Sequence, residues 1–326
     1  MVRRRARKAL IGGGLSAFAR AARLHPRARP RHHAVEILRD IPYRDSGRRA
    51  HLLDVYRPTT PGPHPVVLYI HGGGFTQLSK DTHWVMGLAF ARRGYMVVNA
   101  SYRLAPKHPF PAAIEDACAA YVWTAERAAA LGGDIDRLVL AGESAGANLV
   151  CALSVAACFE RPEPYAREVF DLGVVPKACL PACGILQVTN PERFWQRRAL
   201  PSVVELVLRD VASSYLGGAD RSAAGGIELA DPLCVLESDT REARELPAFF
   251  AGCGTRDPLL DDTRRLGRAI ERRGGECLVR IYPDEIHAFH ALVWRSRARE
   301  FWGDTYRFLA DQQLRGSRRV NAARRM

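Results

Sequence analysis

From about residue 51 onward, short apolar runs alternate with longer stretches of helix-forming residues. The runs at 66–70, 95–100, 138–141, 184–188, 246–251 and 277–282 are continuous rather than alternating, the pattern of strands covered on both faces. Between them, 82–93, 112–130, 147–157, 262–273 and 299–313 read as helices. Strand then helix, repeated, predicts an α/β chain with a mostly parallel central sheet and helices on both faces. Residues 190–231 break the alternation with an amphipathic helix at 202–215 and a Gly/Ala/Ser stretch. Two readings are open for this segment: a helical cap over the ends of the strands, or a surface excursion. As a cap it offers Phe194, Trp195, Leu206 and Leu208 as lining candidates. The chain therefore divides into a basic segment at 1–40, disordered or part of the cap, a domain at 41–314 with its insertion near 190–231, and a basic tail at 315–326.

Composition fits one large soluble domain: 326 residues, 47% hydrophobic and 25% charged. The formal charge of +13 points to an acidic partner until its distribution is read. Residues 1–31 hold ten Lys or Arg and 315–326 hold five, with no acid in either, so the ends carry +15 and the body about −2. A nucleic-acid partner is not expected of such a body, while weak contact of the tails with a membrane surface stays open. No stretch approaches the roughly 20 apolar residues of a membrane span. Residues 1–8 are basic, 9–19 are modestly apolar but contain three glycines, and 19–21 loosely imitate a signal-peptidase site. The expectation is a cytoplasmic chain, with export or an amphipathic surface segment as the other readings. Eight cysteines without C-x-x-C spacing read as buried small hydrophobes, although Cys179 and Cys183 could pair in an exported protein.

Candidate chemistry begins at Gly142-Glu143-Ser144-Ala145-Gly146, which joins an apolar run to a helix. Strand, sharp turn and helix in that order put Ser144 at the apex with its hydroxyl exposed, the form of a nucleophile elbow. Upstream, the run at 66–70 ends in His71-Gly72-Gly73-Gly74-Phe75. Unobstructed N–H groups of Gly72 and Gly73, with that of Ala145, suit the anion formed during acyl transfer, each such donor contributing roughly 10²- to 10³-fold in rate. A phosphate loop is the alternative, but the Lys before Ser or Thr that it needs is missing. Downstream, Asp257 follows one strand run and His287 another, the chain order acid then base. Asp261 and Asp262 compete with Asp257, and His290 with His287; the pair His287-x-x-His290 also hints at a metal, without a third ligand at recognisable spacing.

These pieces, together with Tyr102-Arg103-Leu104-Ala105-Pro106, His108 to Ala113, Glu115-Asp116, Asp257-Pro258-Leu259 and His287-Ala288-Phe289, resemble the hormone-sensitive lipase family of α/β-hydrolases, chiefly its bacterial esterase branch. The resemblance implies a catalytic triad of Ser144, Asp257 and His287, an oxyanion hole of Gly72, Gly73 and Ala145, and hydrolysis of short- to medium-chain carboxylic esters through an acyl-enzyme. It implies no cofactor and no metal, and a small-molecule ester as partner; the oligomeric state stays unknown. An amidase or lactonase on the same triad, or a non-catalytic binding member of the fold, are the alternatives. Two positions depart from the family pattern: Glu143 stands where Asp is usual, one methylene longer and placed to touch neighbouring loops, and Ala147 stands where Gly is usual, needing room where helix meets sheet. Arg103 is expected to serve as an ion-pair partner, and 106–111 as a rigid connector.

Overall fold

The structure is a computed structural model that describes residues 13, 14, 17, 19–219, 222, 223 and 225–323. The basic run at 1–8 and most of 9–19, on which the export and membrane-segment readings rest, lie outside the described residues. Eight strands form one sheet in the order β1-β2-β4-β3-β5-β6-β7-β8. β1 (Val35–Pro42) and β2 (Leu52–Pro58) make the antiparallel edge. β3 (His64–Ile70), β4 (Met96–Ala100), β5 (Gly133–Glu143), β6 (Ala178–Ala182), β7 (Ala248–Gly254) and β8 (Cys277–Tyr282) run parallel. The fold is that of an α/β-hydrolase, as the alternation predicts.

Helices cover both faces because the inner strands are apolar on both: α1 (Trp84–Ala91), α2 (Ala112–Arg127), α3 (Ala145–Cys158), α4 (Pro164–Asp171), α5 (Arg193–Arg197), α6 (Ser202–Leu216), α7 (Pro232–Glu237), α8 (Leu260–Arg272) and α9 (Ser296–Ala323). All fourteen residues of α3 are buried, which fits its run of Ala, Leu, Val and Cys. α9 extends well past the 299–313 read from the sequence, its backbone running through most of the basic tail. Among the described residues no helix is long and apolar enough to cross a membrane.

One strand was expected in the wrong place. The sheet takes Ala178–Ala182, and 184–188 lies beyond its end. Pairing explains the difference: β6 runs level with β5 from Val139↔Ala178 to Glu143↔Ala182, so the strand must stop beside the elbow, where Ser144 N–H donates to Ala182 O at 2.9 Å. The apolar residues that follow are buried, but their amides go to two carboxylates. Leu186 and Gln187 donate to Asp262, and Val188 and Thr189 to Asp231. Periodicity cannot tell such side-chain-capped loops from strands.

Candidate active site

At the end of β5 the chain turns into α3 with Ser144 at φ 55°, ψ −114°, a conformation that a non-glycine residue rarely adopts. The flanking glycines are required by contact. A Cβ on Gly142 would lie 2.6 Å from Gly146 O, and one on Gly146 would lie 2.1 Å from Ile70 O. Ala147 finds its room opposite Gly184, where an added Cβ would stand 2.9 Å from that of Ala147.

The loop after β3 lies against the elbow, pinned from two sides. Tyr102 stacks on His71 with ring centroids 4.2 Å apart and donates its hydroxyl to His71 O at 3.0 Å. Glu143, buried, accepts the Gly72 N–H at 2.8 Å and faces His83 Nε2 at 2.7 Å. Gly72 is therefore corrected: its N–H is committed to a carboxylate and is not free for a substrate. Gly73 and Gly74 follow with φ of 114° and 58° and line the cavity beside Ser144. Burial holds His83 down at about 4; its Nδ1 faces Ser79 O at 3.0 Å and its Nε2 faces Glu143. Sequence reasoning placed Glu143 near neighbouring loops; His83 carries no local signal and enters through tertiary packing.

Asp257 and His287 meet from the loops after β7 and β8. His287 Nδ1 lies 2.9 Å from Asp257 Oδ2, and the other carboxylate oxygen accepts Leu259 N–H at 2.8 Å, which fixes the carboxylate plane. The rival acids are engaged elsewhere. Asp262 is fully buried against Arg193 and two amides, and Asp261 pairs with Arg197. His290 is turned into the interior, its Nε2 3.9 Å from Glu143 Oε2.

The structure adds a neighbour that the sequence had placed in a different role. Cys183, buried at φ 39° just past β6, sets its sulfur within a cluster whose Sγ, Asp257 oxygen and His287 nitrogen lie within 4.8 Å of one another. It is unpaired, as are the other cysteines, Cys179 included. A thiophilic cation held by these atoms would compete for the His287–Asp257 bond. Burial disfavours charge on His287, but Asp257 and Cys183 outweigh it and raise the imidazole well above its usual pKa. Burial likewise opposes a Cys183 thiolate, and His287 outweighs it and lowers the thiol. His290 is lifted to about 9 against burial by Cys183 and Glu143.

Ser144, Gly72 to Gly74, Glu143 and His287 line a cavity of about 1390 Å³. Among the described residues no hydrogen bond joins the Ser144 hydroxyl to His287, though both face this space. Its roof is α6, which contributes Val203, Val204, Val207, Leu208, Asp210 and Val211. The helix is anchored where Tyr215 stacks on Phe75 at 3.7 Å and Tyr215 O accepts Phe110 N–H. The insertion at 190–231 thus supplies a cap, and of the four lining candidates Leu208 alone is in the wall; Phe194 is in the core, Trp195 packs against it, and Leu206 is exposed. The N-terminal segment completes the roof through Ala19, Ala22 and Ala28, held by Trp84 Nε1 donating to Ala19 O. Arg103 grips Asp116 through Nε and the guanidinium, the ion pair expected of it.

The chain is similar to known proteins over most of its length. Residues 67–291 match a family described as alpha/beta hydrolase fold. An esterase of Mycobacterium tuberculosis, LipI, is 32% identical over 293 residues, 87% of this chain and 81% of that protein. Bovine hormone-sensitive lipase is 33% identical over 152 residues, 46% of this chain and 19% of the lipase. The crystal structure of esterase LipW from Mycobacterium marinum superimposes with a TM-score of 0.73 at 27% identity, covering 94% of this chain and 90% of that one. The chain belongs to the hormone-sensitive lipase family of α/β-hydrolases. Within it, the kinship is with carboxylic ester hydrolases.

Proposed function

We propose that the chain hydrolyses short- to medium-chain carboxylic esters through a serine-linked acyl-enzyme. The observation that carries the reading is the Asp257–His287 hydrogen bond opening onto the cavity floored by Ser144 at its strained elbow. Ser144 Oγ attacks the ester carbonyl while His287 takes its proton; the C–O bond to the alcohol then breaks and His287 returns the proton to the leaving oxygen. Water repeats the sequence on the acyl-enzyme and releases the acid. Asp257 fixes the imidazole tautomer and balances the imidazolium. The oxyanion is received by N–H groups of Gly73, Gly74 and Ala145, since that of Gly72 is held by Glu143.

The wall supports an acyl group. Trp84, Leu88, Val207, Leu208 and Leu292 surround the space, and about 1390 Å³ exceeds what a short acyl chain fills. Eight unpaired cysteines support synthesis for a reducing compartment. The test is hydrolysis of nitrophenyl esters from acetate to palmitate by the protein and by Ser144→Ala, with mass detection of a phosphonate adduct on Ser144. Turnover that peaks at one chain length, lost together with the adduct in the variant, is the expected result; turnover equal to the variant's on every ester overturns the reading.

A further inference from the structure

Among the described residues, the large apolar side chains that stand exposed are Leu24, Val203, Leu206, Ile286, Val293 and Trp294, and four of the six line one cavity. Val203, Ile286, Val293 and Trp294 are in the cavity wall, Leu206 is one turn along α6 from Val203, and Leu24 sits between Ala22 and His25, both of which line the cavity. They come from three separate stretches of chain: the N-terminal segment, the cap helix and the connection between β8 and α9. Singly exposed apolar residues are ordinary on any protein, but scatter does not gather four of the six at one opening, with the other two next to its lining in sequence. Leu24 is 82% exposed and Val203 56%, so water covers them at a cost that a contact would remove.

Charge narrows the choice of contact. The same opening carries Arg27, Arg256 and Arg299, and Arg20, Arg23, Arg29 and Arg31 flank Leu24 in a segment whose first 31 residues hold ten cations and no acid. Of the acids at the cavity, Asp210 and Glu143 are buried; nearby, Asp284 is paired with Arg256 and Asp81 with Arg23, and Glu205 is the acid on α6 beside Leu206, so the cations outnumber the acids around the opening. An apolar ring set among cations is the surface that enters an anionic lipid layer: the side chains reach the acyl boundary and the guanidinium groups stay at the headgroups. A protein seated on this ring would plug the cavity that it surrounds. A lipid layer instead presents acyl esters at the entrance.

We infer that the cavity mouth docks on an anionic lipid surface and takes its ester from that surface. The docking stands on the exposure and charge of the rim, and the second clause rests on the ester hydrolysis proposed above. The experiment uses the full chain and phosphatidylcholine vesicles with and without phosphatidylglycerol, read by co-sedimentation, with nitrophenyl palmitate carried in the vesicles and nitrophenyl acetate dissolved in buffer. The expected results are binding to the anionic vesicles that weakens with salt, at least about tenfold weaker binding by the combined variant Leu24→Ser, Leu206→Ser, and faster palmitate turnover on anionic than on neutral vesicles by the parent chain. Acetate turnover by the variant should stay within about twofold, because neither side chain lines the cavity and both are exposed.

Three outcomes overturn the inference. The first is no binding to anionic vesicles. The second is undiminished binding by the variant, which assigns the contact to the basic ends alone. The third is a concentration-dependent dimer of the parent that the variant abolishes, which assigns the ring to a second copy of the chain. Failure of the esterase reading is seen separately, as absent acetate turnover alongside intact vesicle binding.

Discussion

The floor and the rim of the cavity are built from different materials. At the floor, backbone meets backbone: a Cβ on Gly146 would fall 2.1 Å from Ile70 O, and one on Gly73 would fall 2.1 Å from Gln77 O. At the rim, Val203 is 56% exposed and Leu206 47%. Backbone contacts tolerate almost no change of residue type, whereas exposed side chains tolerate many. Reaction chemistry is therefore held by a part of the molecule that sequence cannot easily vary, and substrate choice by a part that it can.

Substitutions on the floor should have the largest effects. Ser144→Ala is expected to lower kcat on nitrophenyl butyrate by about 10⁶-fold with an unchanged melting temperature, because removing the nucleophile of such a unit removes the whole unit. Asp257→Asn should cost about 10⁴-fold, the penalty of losing tautomer control over His287. Equal activity of this variant and the parent in stopped-flow assays would transfer the acid's role to another residue.

Next comes the support of the oxyanion loop. Glu143→Ala strands the Gly72 N–H and unseats His83, so kcat should fall by about 10²-fold while KM moves little; Glu143→Gln keeps an acceptor for Gly72 and should recover part of the loss. A change confined to KM would show that Glu143 acts on binding instead.

Cys183 tests the electrostatics of the floor. His287 must be neutral to accept the Ser144 proton, so kcat/KM rises with pH as the imidazole loses its charge. Cys183 helps to raise that pKa; Cys183→Ala should lower it, and the acid limb of the pH profile should move to lower pH with little change in the plateau. A limb that stays in place would show that Asp257 alone sets the value.

The smallest effect belongs to the roof. Val207→Trp on α6 should shorten the preferred acyl chain, a change within about tenfold for any single ester, read from the nitrophenyl series. If the optimum does not move, the acyl group lies along another wall.

The carboxylates Asp257 and Asp262 show how far sequence reading reaches. They are five positions apart, both fully buried, and both plausible acids by position after a strand. Proximity to the strand end favoured Asp257, and the structure puts it on His287 while giving Asp262 to Arg193 and two amides of 186–187. Arg193 lies 69 residues from Asp262, and nothing local announces the pair. The elbow, the glycine loop and the order of acid and base were readable because each depends on neighbours within a few residues. The displaced strand at 184–188, the commitment of Gly72 to Glu143 and the approach of Cys183 to His287 were not, because each depends on which strands lie side by side.

By itself, then, the sequence determined the alternation of strands and helices, the strained turn at Ser144 and the residue types able to carry acyl transfer, since periodicity, glycine and loop position are local properties of the chain. Tertiary structure decided which carboxylate meets His287, which glycine N–H groups stay free, how α6 roofs the cavity and where the exposed apolar residues gather. Those outcomes depend on sheet order and on contacts across tens to hundreds of residues, where a side chain's partner is set by packing rather than by its neighbours in sequence.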